Sequence, residues 1–345
     1  MKIHFAVLVL VALGHFLPGS SPAGQAGDQA PVNFVPPQQR NAAIRYLIAV
    51  ATISPEVNTK IRELDWHEIG DNIDPAKMPA SFNELAKLPM NGAIQFATEG
   101  SKMDRCNFEI NYEAGVNALL PQLGYMRQLG RVLRLNARLL ESEGKAGDAA
   151  ERLQTLLRLS EHVRQDGWLI CVLVSFALDS IAFDEIRLLA AMPQLPAQKR
   201  AELLAMLEAR NVADPLHFQA AIETEMRSII PQIERDAARP DGPKVIAEIM
   251  GDQPGAAAIA ALSSEELQKQ VARLRPMYAE YLKAVSPESS DEQAAQIYAR
   301  VTSGEYGSLG AAFMPDVKNL RGSRARYLSE LAVAINALKK TPAAQ

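Results

Sequence analysis

Residues 119–154 read LLPQLGYMRQLGRVLRLNARLLESEGKAGDAAERLQ, and the spacing of their apolar side chains decides the fold class. Leu119, Leu123, Met126, Leu129, Leu133, Ala137 and Leu140 recur at intervals of three and four. That period places them on one face of a helix, whereas a strand would alternate. Gly144 interrupts the pattern, and Ala149 and Leu153 resume it, so the stretch predicts two antiparallel helices joined by a tight turn.

Outward from this hairpin, helix-start signals recur. Ser54-Pro55, Asp214-Pro215 and Ser286-Pro287 each place a capping side chain before a proline suited to the first helical position. Ser81 with Glu84 and Ser263 with Glu266 have capping-box spacing. The predicted helices are 40–52, 54–64, 81–99, 111–119, 121–143, 146–164, 167–192, 197–211, 214–237, 243–250, 264–284, 289–302 and 315–340. Residues 65–80, 192–196 and 302–310 read as loops, and no strand pair or Asn-Gly hairpin is evident. The expected fold is all-α: an irregular array or orthogonal bundle of antiparallel hairpins without a sheet, with the 167–192 helix central and buried.

The 345 residues are 48% hydrophobic, enough for a substantial core. With 36 Lys and Arg against 40 Asp and Glu, the chain lacks the broad positive field that draws nucleic acid. Lys2, the apolar run Ile3 to Leu13 and the small-residue stretch Gly14 to Ala26 have the three-part layout of a secretory signal peptide, with cleavage expected after Ala23 or Ala26. The expected organisation is therefore a signal peptide over 1–23, a flexible lead-in over 24–39 and a helical domain over 40–341, with a soft division near 193. The mature chain is expected in the periplasm or outside the cell. Trp168 to Phe183 is the other long apolar run, but Ser175, Asp179 and Ser180 interrupt it and Asp166 and Asp184 flank it, so no membrane span is expected after signal removal. Cys106 and Cys171 are the two cysteines; an oxidising compartment permits a bridge between them, and the alternative is that Cys171 is a small buried hydrophobe.

Ala137, Leu140, Gly144, Ala149 and Leu153 together resemble the small-large spacing of a tetratricopeptide hairpin, over about 30 residues. Further on, Leu178 stands at the turn position and Glu161 where that family has proline, so the resemblance does not extend to a regular array. The run from Phe313-Met314-Pro315 through Arg321 and Arg324 to Arg326, and Leu331 to Ile335, is similar to closing segments of exported bacterial helical proteins, which implies class and no activity.

Outside the signal, His67, His162 and His217 are the histidines; none lies in HExxH or near a second histidine, so no metal or other cofactor is expected. His162 and His217 read as helix-surface or boundary residues. Asp65-Trp66-His67-Glu68 with Asp71 and Asp74 gathers an imidazole, carboxylates and an aromatic ring in one loop. One reading is an envelope hydrolase using His67 with Glu68 or Asp71; the plainer one is a surface loop anchored by Trp66. No GxSxG or phosphate-loop motif occurs, and Gly304, Gly307 and Gly310 read as turn formers. The acid pairs Glu223/Glu225 and Glu109/Glu113 have nothing to select them from ordinary solvated helix surface.

Arg127, Arg131, Arg134 and Arg138 form a stripe of four guanidinium groups on one helix face. It predicts either internal pairing, with Glu141, Glu143 or Glu151, or an acidic protein or anionic envelope polymer as partner. Lys318, Arg321, Arg324 and Arg326 form a second basic cluster with the same two explanations. The leading functional expectation is a non-enzymatic binding or scaffold protein of the cell envelope.

Overall fold

A computed structural model describes residues 40–340 except 73, 75–76, 252–254 and 314–316. The expected signal peptide and lead-in lie outside the described residues. Within them the secondary structure is helical, with one isolated β-bridge between Asn41 and Arg105, which establishes the all-α class.

Five short helices come first: α1 (Ala42–Ala51), α2 (Pro55–Glu63), α3 (Trp66–Ile69), α4 (Ala80–Ala86) and α5 (Asn91–Ser101). Asn41 and Ser54 cap the first two through their side chains, and Pro55 occupies the first turn of α2. Three long helices follow: α6 (Pro121–Ser142), α7 (Ala146–Arg164) and α8 (Leu169–Ala190). At Gly144, with φ 74°, the chain closes α6 with paired hydrogen bonds: Gly144 N–H to Glu141 O and Lys145 N–H to Leu140 O. This double closure needs a left-handed residue, which glycine adopts without strain. Then come α9 (Ala197–Glu208), α10 (Phe218–Ala237), α11 (Gly242–Met250), α12 (Ala256–Ala260), α13 (Ser264–Val285), α14 (Asp291–Thr302), α15 (Gly307–Phe313) and α16 (Val317–Lys339).

Helix α8 lies at the centre, packed by α6, α7, α10 and α16. Its apolar residues are spread around its circumference, as a helix covered on several sides requires: Cys171, Val172, Leu178, Ala182, Ile186 and Leu189 are all buried. A Cβ on Gly130 would come within 2.3 Å of Leu178 Cδ2, so the missing side chain lets α6 and α8 approach. The described residues cluster as one unit, and Pro193 lies in the connection between α8 and α9, both of which pack on α16. No described helix is long and apolar enough to cross a membrane.

Several expected boundaries are corrected. The helix expected over 81–99 is two, because Pro89 removes an amide donor and disfavours helical backbone at Leu88. The first of them starts at Ala80 after Pro79, so Ser81 is inside it and does not cap it. Residues 111–119 contain a 3₁₀ helix, Tyr112–Asn117, bent at Gly115 (φ 52°). The loop over 65–80 contains α3, whose first N–H groups, on His67 and Glu68, donate to Asp65. Asp214-Pro215 does not start α10, which begins four residues after Asp214. Ser290 rather than Ser286 caps α14, in a full capping box with Gln293. The expected 302–310 loop yields at Gly307 to α15.

Candidate functional site

The arginine stripe divides where its cover begins. Arg127 and Arg131 are exposed, but Arg134 and Arg138 sit where the second half of α6 meets α8 and the 65–72 segment. Arg138, 1% exposed, donates from Nε to Glu185 Oε2 (2.7 Å) and from Nη2 to Glu185 Oε1 (2.8 Å), while Arg134 Nε donates to Oε1 (2.7 Å). Glu141 completes the network at 3.5 Å from Arg138, with both carboxyl oxygens buried and neither accepting a hydrogen bond. Burial and repulsion from Glu185 outweigh the two arginines and push Glu141 up to about 8. Glu143 pairs instead with Lys145, and Glu151 with Lys199.

The loop and the stripe, separate features in the sequence, are two sides of this contact. Trp66 lies under Arg134, with the guanidinium carbon 3.9 Å from the ring centre. Arg138 Nη1 donates to Gly70 O (2.9 Å) and Asn72 O (2.8 Å), and Arg187 binds Asp71 at 2.7 Å, holding that carboxyl below its ordinary value. His67 and Glu68 are exposed and Asp71 is committed to Arg187, so the three do not converge in an enclosed cleft. Among the described residues no group of three or more His, Cys, Asp and Glu is arranged to hold a metal.

One other expectation changes. His162 is buried, its Nδ1 lying 2.7 Å from Tyr46 Oη, and burial lowers its pKa. Cys106 and Cys171 are both free and buried. Burial, helped by Asp166, pushes the Cys106 thiol far up and that of Cys171 to about 12, so neither supplies a thiolate nucleophile near neutral pH.

The second basic cluster forms an open site. Helices α14 and α16 enclose a groove of about 760 Å³. Its floor is small, from Ala294, Ala295, Gly322 and Ala325, with Tyr298 and Leu328 as larger apolar walls. A Cβ on Gly322 would meet nothing within 4 Å. Lys318, Arg321 and Arg324 line it against one carboxylate, Asp291. Arg321 binds Asp291 at 2.6 Å and also donates to Ala284 O; Arg324, 8% exposed, donates to Val285 O at 2.7 Å. Desolvation lowers the Arg324 pKa, and the nearby Asp214 and Glu288 only partly offset it. Arg326 turns away, over Phe176 at 4.7 Å. The basic residues were evident in the sequence, but not the groove, because α14 faces α16 only through the fold.

Comparison of the chain with protein families, with curated proteins and with solved structures gave no match.

Proposed function

We propose that the protein is a non-enzymatic binding protein, exported to the cell envelope, whose α14–α16 groove receives an acidic, amphipathic segment of a partner protein. The observation that carries this reading is the pairing of a small apolar floor with three cations and one carboxylate. A helix bearing leucines on one face could lie on the alanine and glycine floor, and carboxylates along its edge would meet Lys318 and Arg321. Export is supported by the layout of residues 1–26.

Calorimetric titration with a designed helix carrying Leu on its face and Glu along its edge tests the groove. Binding should weaken with salt, by about tenfold on Lys318→Glu, and also on Tyr298→Ala. Equal binding of a counterpart with Lys in place of Glu, or indifference to both substitutions, would count against it. Cell fractionation of the full chain tests export.

A further inference from the structure

A second pocket, of about 400 Å³, lies where the C-terminal half of α7 meets the end of α9 and the start of α10. Arg158, Glu161 and Arg164, spaced by three along α7, reach it from one side, and Arg210 and His217 from the other. We propose that this pocket binds the phosphate group of a small phosphate monoester, whose apolar substituent lies against Met206, Val212 and Pro215.

The cationic wall is prearranged. Arg164 is fixed by three hydrogen bonds, to Ser175 Oγ (3.0 Å), Pro215 O (2.7 Å) and the fully buried Asp179 (2.7 Å). Arg210, with 9% of its side chain exposed, donates to Met206 O (2.9 Å) and Leu157 O (2.8 Å). Its buried Nε has no hydrogen-bond partner and stands 3.9 Å from Asp179 Oδ1. Guanidinium groups held in place by the fold need little reordering when an anion arrives.

Glu161 marks the anion's position. Its carboxylate sits 3.0 Å from Arg158 and 3.6 Å from Arg210, bridging cations from two different parts of the chain. The side chain is 42% exposed and therefore free to swing into solvent. With it displaced, three guanidinium charges face the single charge of Asp179. The remaining two positive charges match a phosphate monoester dianion better than a carboxylate.

His217 brings the imidazole to the rim at a backbone cost. It has φ 54° and ψ 39°, a left-handed conformation unusual for a residue with a Cβ, and it makes no cap of its own: the first N–H of α10, on Phe218, donates to Asp214 Oδ1 instead, at 3.4 Å. Strain of this kind is retained where the surroundings, or a function, require it.

Calorimetry with phenyl phosphate and inorganic phosphate, in chloride buffer of constant ionic strength, tests the proposal on the full chain. Phenyl phosphate should bind the more tightly. Glu161→Gln should tighten binding severalfold by removing the competing carboxylate, and Arg158→Gln, at a half-exposed site, should weaken it about tenfold. His217→Gly should weaken binding while keeping or raising the melting temperature, since glycine accepts this backbone freely. Phenyl phosphate binding no tighter than inorganic phosphate overturns the proposal, as does an affinity unmoved by both Glu161→Gln and Arg158→Gln.

Discussion

Arg138 and Glu185 form a bidentate ion pair, Nε to Oε2 at 2.7 Å and Nη2 to Oε1 at 2.8 Å, with both side chains removed from solvent. Such a pair gains little over an apolar replacement of equal volume, because desolvating both charges offsets their attraction. Breaking it from one side is another matter. Glu185→Ala leaves two guanidinium groups facing a void and should cost roughly 3–5 kcal/mol in urea unfolding. The joint replacement Arg138→Met with Glu185→Leu should cost markedly less than Glu185→Ala. A double variant as unstable as the single one would mean that packing, not the orphaned charge, sets the loss.

The pH dependence of stability should be governed in part by Glu141. Its folded value of about 8 lies above the ordinary 4.5, so between those limits the folded chain holds a proton that the unfolded chain has released. Stability from this group is complete below about pH 4.5, falls as pH rises towards 8, and changes no further above that. Asp166, raised to about 6, and Glu225, raised to about 7, act in the same direction, each by burial. His162, lowered by burial, acts in the opposite one. Comparing wild type with Glu141→Gln cancels these three. Urea midpoints at pH 5, 6.5 and 8 should show the variant gaining on wild type as pH rises; parallel curves would rule the effect out.

Two glycines of α6 should respond oppositely to alanine. At Gly124 an added Cβ meets nothing within 4 Å, so Gly124→Ala should stabilise by about 0.5–1 kcal/mol through helix propensity. At Gly130 the same atom falls 2.3 Å from Leu178 Cδ2, and Leu178 is itself buried with little room to retreat. Gly130→Ala should therefore lower stability by about 1–3 kcal/mol net. Thermal melts of the two variants give the signs directly.

Burial should also govern the thiols. An alkylating reagent without reductant should label neither Cys106 nor Cys171 in the folded chain, and both after unfolding in urea, by intact mass. Labelling that needs a reductant as well as urea would reveal a bridge.

The helical period, the turn at Gly144 and the central place of the 169–190 segment were legible because each is a local signal. Leu123, Met126, Leu129 and Leu133 announce a face whatever lies opposite it. What lies opposite is not local. Glu141, one turn beyond Arg138, was within reach of sequence reasoning, whereas Glu185 was not, being 47 residues from Arg138 and on another helix. Pro89 was a readable break inside a pattern of apolar spacing that outweighed it. His217 reads as an ordinary boundary residue because its left-handed backbone follows from how α9 and α10 are joined.

The hydroxyl of Tyr327 donates to Asp179 at 3.0 Å across 148 residues, and its ring packs edge-on against Phe176 and Phe183, at 5.7 and 5.4 Å between centres. During synthesis the central helix is therefore finished long before its last wall exists. Until α16 arrives, two phenylalanines and a partly bonded carboxylate lie open on the growing chain, the kind of surface that holding chaperones and aggregation both exploit. The helix that seals the centre is thus made well after the helix it covers, so a chain cut short before α16 would leave that face of α8 unsealed.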